Sequence, residues 1–391
     1  MRILFVYNNI FSQDGGGVQN ISLALSSSFV NLGITIDYLS IVDKDLVVPK
    51  DYLYHILYFS ESRETVKSEF THLIYSNRID IVVNQTFGVQ VINWCLSQVS
   101  DDVKIISVVH TSLLNNMTNA HIVYENYFPI LLNNTLVKAL IKSSVGNNLL
   151  KLLYRMRHGE EINNSYKVSD KVIVLSKAWV DEITYFTKGN EKVIVIPNFN
   201  VREPLSSIDV GLKKEMVVNV SRLDDKIKRS DLLLKIFQRL AAQNPDVAFV
   251  ISGNGDYKDK LVSIIENSHL KNLYFVEAES VVSLYEQASI FCSTSASESF
   301  GLTVLESMGY GCVPVIFNSY PVASEMVTDG ISGRLIDSFN LDDFQEAVQE
   351  ILENPRLRDE LAYKAIEESK RYTRDFVVGK WHSMLVKLLN E

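Results

Sequence analysis

The chain has 391 residues, 47% hydrophobic and 22% charged, which is too long for one compact core and apolar enough to build two. Its net charge of −9 lies mainly in residues 201–391, with 21 Lys/Arg against 29 Asp/Glu, while residues 1–200 hold 17 against 18; this balance argues against a general nucleic-acid-binding surface. The cysteines Cys95, Cys292 and Cys312 are far apart and lack a CxxC spacing, so they point to neither a disulfide framework nor a zinc site and are expected as small core residues.

The opening run Met1–Tyr7 is shorter than the apolar core of a signal peptide, and no later run is long enough to span a bilayer, so a soluble, cytoplasmic protein is expected. Short β-branched runs predict strands at Ile3–Tyr7, Ile34–Leu39, Ile79–Val83, Lys104–Val109, Lys171–Leu175 and Val193–Ile196. Between the first two, Ile21, Leu25, Phe29 and Leu32 recur at helical spacing in Val18–Leu32, and Gly33 supplies a stop. After Pro197-Asn198 the polar stretch Arg202–Gly211 breaks the pattern as an inter-domain linker. A second series of strands follows at Met216–Val220, Val247–Ile251, Leu273–Val276, Ile290–Cys292 and Val313–Phe317, with crossover helices such as Leu232–Ala242 and Tyr257–Asn267. The expected fold class is α/β, with two doubly wound Rossmann-like domains facing across a cleft. They span 1–199 and 200–371, and a last segment with helical spacing occupies 372–391.

Ligands of such sheets sit beyond the C-terminal ends of the strands, which directs attention to the loops there. Gly15, Gly16 and Gly17 lead into the first helix, either as a phosphate cradle of backbone N–H groups or as a flexible turn. A nicotinamide-dinucleotide site has Asp37 at the right interval after Gly15-x-Gly17. Against it stand Asn20 at the third glycine position and a loop too long for the tight turn. Residues 126–159 contain Lys138, Lys142, Lys151, Arg155 and Arg157, many Leu and Ile, and no acidic residue. That stretch reads equally as a surface for an anionic membrane or as packed helices with snorkelling cations.

In the second half, Arg222 and Lys228 follow a predicted strand, where a planar fork and a point charge can flank a diphosphate; a solvated charged loop is the alternative. Gly253, Asn254 and Gly255 end another strand, as a nucleotide loop or an ordinary turn. The strongest signal is Ser297–Glu306, in which Glu298 precedes a helix and Glu306 lies about two turns on, roughly 12 Å away at 1.5 Å per residue. One carboxylate can then take hydroxyls of a sugar and the other those of a ribose, while the N–H groups of Leu302 and Thr303 face phosphates. The alternative places Glu298 on the helix dipole and Glu306 in solvent.

As an ordered set these residues resemble the retaining glycosyltransferases of family 4, whose fold is the two-domain GT-B arrangement. The resemblance spans nearly the whole chain and rests on Gly15–Gly17, His110, Arg222 with Lys228, Gly253-Asn254-Gly255 and the Glu298–Glu306 pair of the E-x7-E pattern. It is closest in Glu298-Ser299-Phe300-Gly301-Leu302-Thr303 through Glu306-Ser307-Met308-Gly309. The resemblance implies that Arg222 and Lys228 neutralise the departing diphosphate, so no metal and no cofactor beyond the nucleotide-sugar substrate is expected. It further implies that 1–199 bind the acceptor and 200–371 the nucleotide sugar, with the helix at 372–391 crossing back to the first domain. By the same resemblance Glu298 holds the sugar, Glu306 the ribose, backbone around Phe275, Val276 and Glu277 the base, and His110 reaches toward the transferred sugar. The implied reaction moves a hexose or N-acetylhexosamine, UDP-linked, to a lipid-linked or polysaccharide acceptor. A sugar-nucleotide epimerase and a non-catalytic nucleotide-sugar-binding subunit are the alternatives. The chain departs from the family pattern at Arg229, where many members have glycine, at Glu277, near Asn318-Ser319, and at Ser324 in place of proline before Glu325.

Overall fold

The computed structural model describes residues 1–10, 17–42, 55–58, 63–114, 143–277 and 281–391. Residues 1–114, 148–198 and 374–391 form one compact unit, and 199–373 make up the body of a second.

The first unit carries β1 (Arg2–Tyr7), α1 (Gly17–Asn31), β2 (Thr35–Val42), β3 (His55–Tyr58), α2 (Arg63–Ser76), β4 (Ile81–Asn84), α3 (Gln90–Leu96) and β5 (Lys104–Val109). It continues with α4 (Ser144–Val168), β6 (Lys171–Val174), α5 (Ala178–Thr187) and β7 (Val193–Val195). Among the described residues the sheet has the order β3-β2-β1-β4-β5-β6-β7, and all its pairings are parallel. The central strands read as continuous apolar runs because helices cover both faces: Ile3, Leu4, Phe5 and Val6 are all buried, as are Ile81, Val82 and Val83. Parallel strands need crossovers, and the amphipathic helix α1 supplies the first, burying Ile21, Leu25 and Phe29.

The second unit carries β8 (Lys214–Val220), α6 (Ser230–Gln243), β9 (Ala248–Ser252), α7 (Lys258–Glu266), β10 (Leu273–Phe275), α8 (Val281–Gln287) and β11 (Ala288–Ser293). It is completed by α9 (Leu302–Gly309), β12 (Val313–Phe317), α10 (Pro321–Met326), β13 (Arg334–Ile336), α11 (Leu341–Glu353) and α12 (Pro355–Ser369). Its described strands form a second parallel sheet, ordered β10-β9-β8-β11-β12-β13. Leu233, Ile236, Phe237 and Leu240 of α6 pack with Phe249, Phe317 and Phe344 in one buried cluster. The last helix, α13 (Arg374–Asn390), belongs to the first unit: Trp381 meets Phe29 of α1 edge-on at 6.3 Å, and Lys171 pairs with Glu391 at 3.1 Å.

Two strands were not expected. β3 has four residues and β13 three, Arg334-Leu335-Ile336, too few to establish an alternating period. Asp37 is settled by the sheet. It is the third residue of β2, at the strand's N-terminal end, and accepts from Arg2 Nε at 2.6 Å and Nη2 at 3.0 Å. A ribose beyond the C-terminal ends of the strands is out of its reach, so the dinucleotide reading loses its acidic residue. Cys95, Cys292 and Cys312 are buried and unpaired with one another.

Candidate active site

The loop after β8 is organised by a residue outside the expected set. Asp224 Oδ1 accepts the N–H groups of Lys226 (3.2 Å), Ile227 (2.6 Å) and Lys228 (2.9 Å), and Oδ2 accepts Arg222 Nε at 3.1 Å. Burial alone would raise this carboxyl, but the N–H groups of Lys228 and Ile227, with Arg222, together hold it below the ordinary aspartate value. One carboxylate therefore wraps the segment bearing both cations, and it leaves the Arg222 side chain 61% exposed.

Lys228 and Glu298 are brought into direct contact. Lys228 Nζ lies 2.5 Å from Glu298 Oε1, which also accepts Ser295 Oγ at 2.7 Å. Backbone contacts fix both ends of this pair: Ala296 N–H donates to the Ile227 carbonyl at 2.7 Å, and Thr294 Oγ1 to the Arg229 carbonyl at 3.0 Å. Arg229 occupies the left-handed region at φ 52°, ψ 45°, which explains why a glycine suits this position and what replaces it here. A non-glycine residue there costs about 1–2 kcal/mol. The guanidinium offsets that cost through two 3.0 Å bonds to Asp231 and by lying 5.8 Å from the Phe339 ring centre.

Gly253 and Gly255 are required by a close approach of backbone within the protein itself. Their φ values are +146° and +148°, and a Cβ would lie 1.8 Å from the Ser221 carbonyl oxygen and 2.3 Å from that of Leu223. They let this loop lie against the Arg222 loop, joined by Ser221 N–H to Ser252 O (3.1 Å) and Leu223 N–H to Asn254 O (2.8 Å). Asn254 Oδ1 accepts Gly255 N–H at 2.9 Å, and Val276 N–H pairs with Ile251 O at 2.9 Å, just past β10.

Gly301, at φ 87°, precedes α9, whose N-terminus carries no side-chain cap. The helix begins at Leu302, not at Glu298, so Glu306 is one turn inside it and the 12 Å helical spacing does not apply. The N–H groups of Leu302 and Thr303 belong to the first turn, where the backbone leaves donors for an anion. Phe300 is buried and packs edge-on against Tyr372 at 5.8 Å. Glu306 is buried rather than solvated, at 1% exposure. Its Oε1 is 2.6 Å from Arg202 Nη1 and its Oε2 accepts Tyr285 Oη at 3.4 Å. Burial pushes its carboxyl upward, against the charge and hydrogen bond of Arg202 and the bond from Tyr285.

His110 lies in the first unit, directly after β5. Its Nε2 is 2.5 Å from Gln85 Oε1, so Nε2 carries the proton and Nδ1 is the acceptor. Desolvation lowers its value to about 4, and the ring is neutral at physiological pH. Beyond it, Ser112 Oγ donates to Glu182 at 2.7 Å, and Leu114 N–H donates to the same carboxylate at 3.3 Å, anchoring the loop to α5. Gly15 and Gly16 lie outside the described residues; Gly17 is the first residue of α1.

Of residues 126–159, positions 126–142, with Lys138 and Lys142, lie outside the described residues, and the remainder falls largely on α4. Val145, Leu149, Leu152, Leu153 and Met156 fall on one helical face and are 49–76% exposed. Arg157 is exposed, whereas Arg155 stacks over Tyr185 at 4.9 Å. No described helix is long and apolar enough to cross a membrane.

Residues 200–368 match the model of the family Glycosyl transferases group 1. An uncharacterized glycosyltransferase of Haemophilus influenzae is 23% identical over 98% of this chain and 99% of its own length. Several other curated relatives are matched over only 35–44% of their lengths. Among solved structures, the lipopolysaccharide outer core galactosyltransferase WaaB superimposes with a TM-score of 0.72 at 15% identity, over 99% of both chains. The pneumococcal O-GlcNAc transferase GtfA, in complex with UDP and GlcNAc, gives 0.70 at 14% identity, over 100% of this chain and 99% of its own. The fold is therefore GT-B. The family match and the relatives support a glycosyltransferase of group 1, and the epimerase alternative is not favoured.

Proposed function

We infer that the chain is a retaining transferase of the family 4 type, moving a hexose or N-acetylhexosamine from a UDP-sugar to a saccharide acceptor, lipid-linked or polymeric. The observation that carries this reading is the contact of Lys228 with Glu298 beside the uncapped start of α9, with the Arg222 guanidinium held outward by Asp224. In the proposed complex the diphosphate takes donors from Lys228, Arg222 and the first N–H groups of α9, the charge stabilisation a metal gives elsewhere. Glu298 retains acceptor capacity for a sugar hydroxyl, and Glu306 for the ribose. The bond from the anomeric carbon to the phosphate oxygen breaks as the acceptor oxygen bonds on the same face. The acceptor proton passes to the departing phosphate, so the protein contributes position and field.

Thermal unfolding against UDP, GDP and ADP, followed by turnover of the corresponding sugars, tests the reading. Saturating UDP is expected to raise Tm, since a ligand at about 100 Kd adds about 2.7 kcal/mol, and donor without acceptor should hydrolyse slowly without changing sugar configuration. Interconversion of free donors, or no stabilisation by any of the three, contradicts it.

The proposed workplace is the cytoplasmic membrane surface. Five exposed apolar side chains on α4, with Lys151, Arg155 and Arg157 on the same helix, suit the headgroup boundary of anionic lipid. Flotation with phosphatidylglycerol vesicles should fall at least severalfold for the Leu152→Glu/Met156→Glu variant; unchanged flotation removes α4 from this role.

A further inference from the structure

We propose that Arg202 is a positioning residue of the nucleotide site, fixing the Glu306 carboxylate for the ribose hydroxyls; this rests on the assignment of Glu306 to the ribose. Arg202 lies in the stretch expected to be a plain linker and 104 positions from its partner, and nothing in its sequence surroundings marks it.

The geometry is built from the chain on both sides. Asn200 N–H donates to the Tyr372 carbonyl at 2.9 Å, and Asn200 Oδ1 accepts Arg202 N–H at 2.9 Å. Gly309, the last residue of α9, makes room for this segment, since a Cβ there would stand 2.8 Å from Asn200 Nδ2. The backbone of 200–202 is thereby docked against the helix that carries Glu306, and Nη1 of Arg202 reaches Oε1 at 2.6 Å. Tyr285 Oη occupies the other oxygen. A carboxylate offers about four acceptor positions, so two remain for a vicinal diol. The Arg202 side chain is 44% exposed while Glu306 is buried, so the arginine forms the outer wall of the carboxylate's surroundings.

The electrostatic consequence follows from what surrounds Glu306. Arg202 faces it from the segment before β8, Tyr285 from α8 and Tyr310 from beyond α9, and Lys213, Cys312 and Glu286 interact with one another or with those two tyrosines. Arg202 is the cation acting directly on the carboxylate, and burial opposes its charge. Without Arg202, the burial that pushes Glu306 upward meets no opposing charge, which favours the neutral carboxyl, a donor on one oxygen and a poorer partner for a diol.

The test titrates nucleotide into wild type, Arg202→Met, Arg202→Lys and Glu306→Gln from pH 6 to pH 9. The nucleotide is whichever of UDP, GDP and ADP stabilises wild type most, and circular dichroism checks folding. Arg202→Met should weaken binding about 10–100-fold at pH 7, the equivalent of one lost charge-assisted interaction, and recover with rising pH as Glu306 ionises. Arg202→Lys should restore much of the affinity and flatten the pH dependence, whereas Glu306→Gln should stay weak and flat. Wild-type affinity in Arg202→Met, with Glu306→Gln weakened, overturns the proposal alone. Wild-type affinity in Glu306→Gln overturns the ribose assignment and the proposal with it.

Discussion

Replacing Lys228 with alanine is expected to lower kcat about 10²–10³-fold, the effect of removing one preorganised donor from a developing anion. Two consequences add in the same direction. The departing diphosphate loses a fixed cation whose backbone is held by Asp224 at 2.9 Å and whose Nζ is already 2.5 Å from Glu298. The Glu298 side chain, 11% exposed, is left with Ser295 as a neutral partner and no counter-charge. Glu298→Ala should be comparably severe, because the sugar loses an acceptor and Lys228 loses its restraint. Groups that act as a unit are not additive, so the double variant should lie within about tenfold of the worse single variant. Steady-state kinetics on the four proteins decides the matter: two independent losses that multiply would mean that the pair does not work as one device.

The second large effect concerns His110 and acid. An ordinary histidine titrates near 6.5, but desolvation holds this ring neutral until about pH 4. Activity that requires the neutral ring with Nδ1 as acceptor should show no acid limb from His110 between pH 6 and 9. Any loss from its protonation should come only as pH falls toward about 4. The stability sign follows from the same displacement: the unfolded chain takes up the proton below 6.5 while the folded chain resists it, so Tm falls from about 6.5 toward 4. His110→Asn should cut kcat/KM about 10²-fold and remove that part of the Tm slope. Gln85→Leu, which removes the acceptor of Nε2–H and adds apolar surface, should keep the ring neutral to still lower pH while lowering kcat/KM; an unchanged kcat/KM would show that Gln85 does not set the tautomer.

Much of the fold is legible in the sequence, because parallel strands buried on both faces announce themselves as β-branched runs; β1, β5 and β12 fall within a residue of where those runs lie. The short edge strand β13 carries no such run. The charged pair Lys228 and Glu298 is visible as two motifs, yet their 2.5 Å contact joins positions 70 apart and depends on tertiary structure. Asp224 is hidden for a different reason: an aspartate among Arg222, Asp225, Lys226 and Lys228 reads as solvated charge, and its three backbone bonds appear only once the loop closes on it. The glycines at 253 and 255 are legible as a requirement for backbone approach, but the approaching backbone belongs to Ser221 and Leu223. Buried Glu306 runs against the rule that places glutamates outside, and its compensation by Arg202 and Tyr285 is equally long-range.

The most direct measurement is a structure of the full chain crystallised with UDP or a UDP-sugar. The account predicts phosphate oxygens about 3 Å from Lys228 Nζ and the Arg222 guanidinium, with the start of α9 directed at them and the ribose at Glu306. A nucleotide seated elsewhere, with Lys228 still closed on Glu298 and Arg222 turned to solvent, would contradict it.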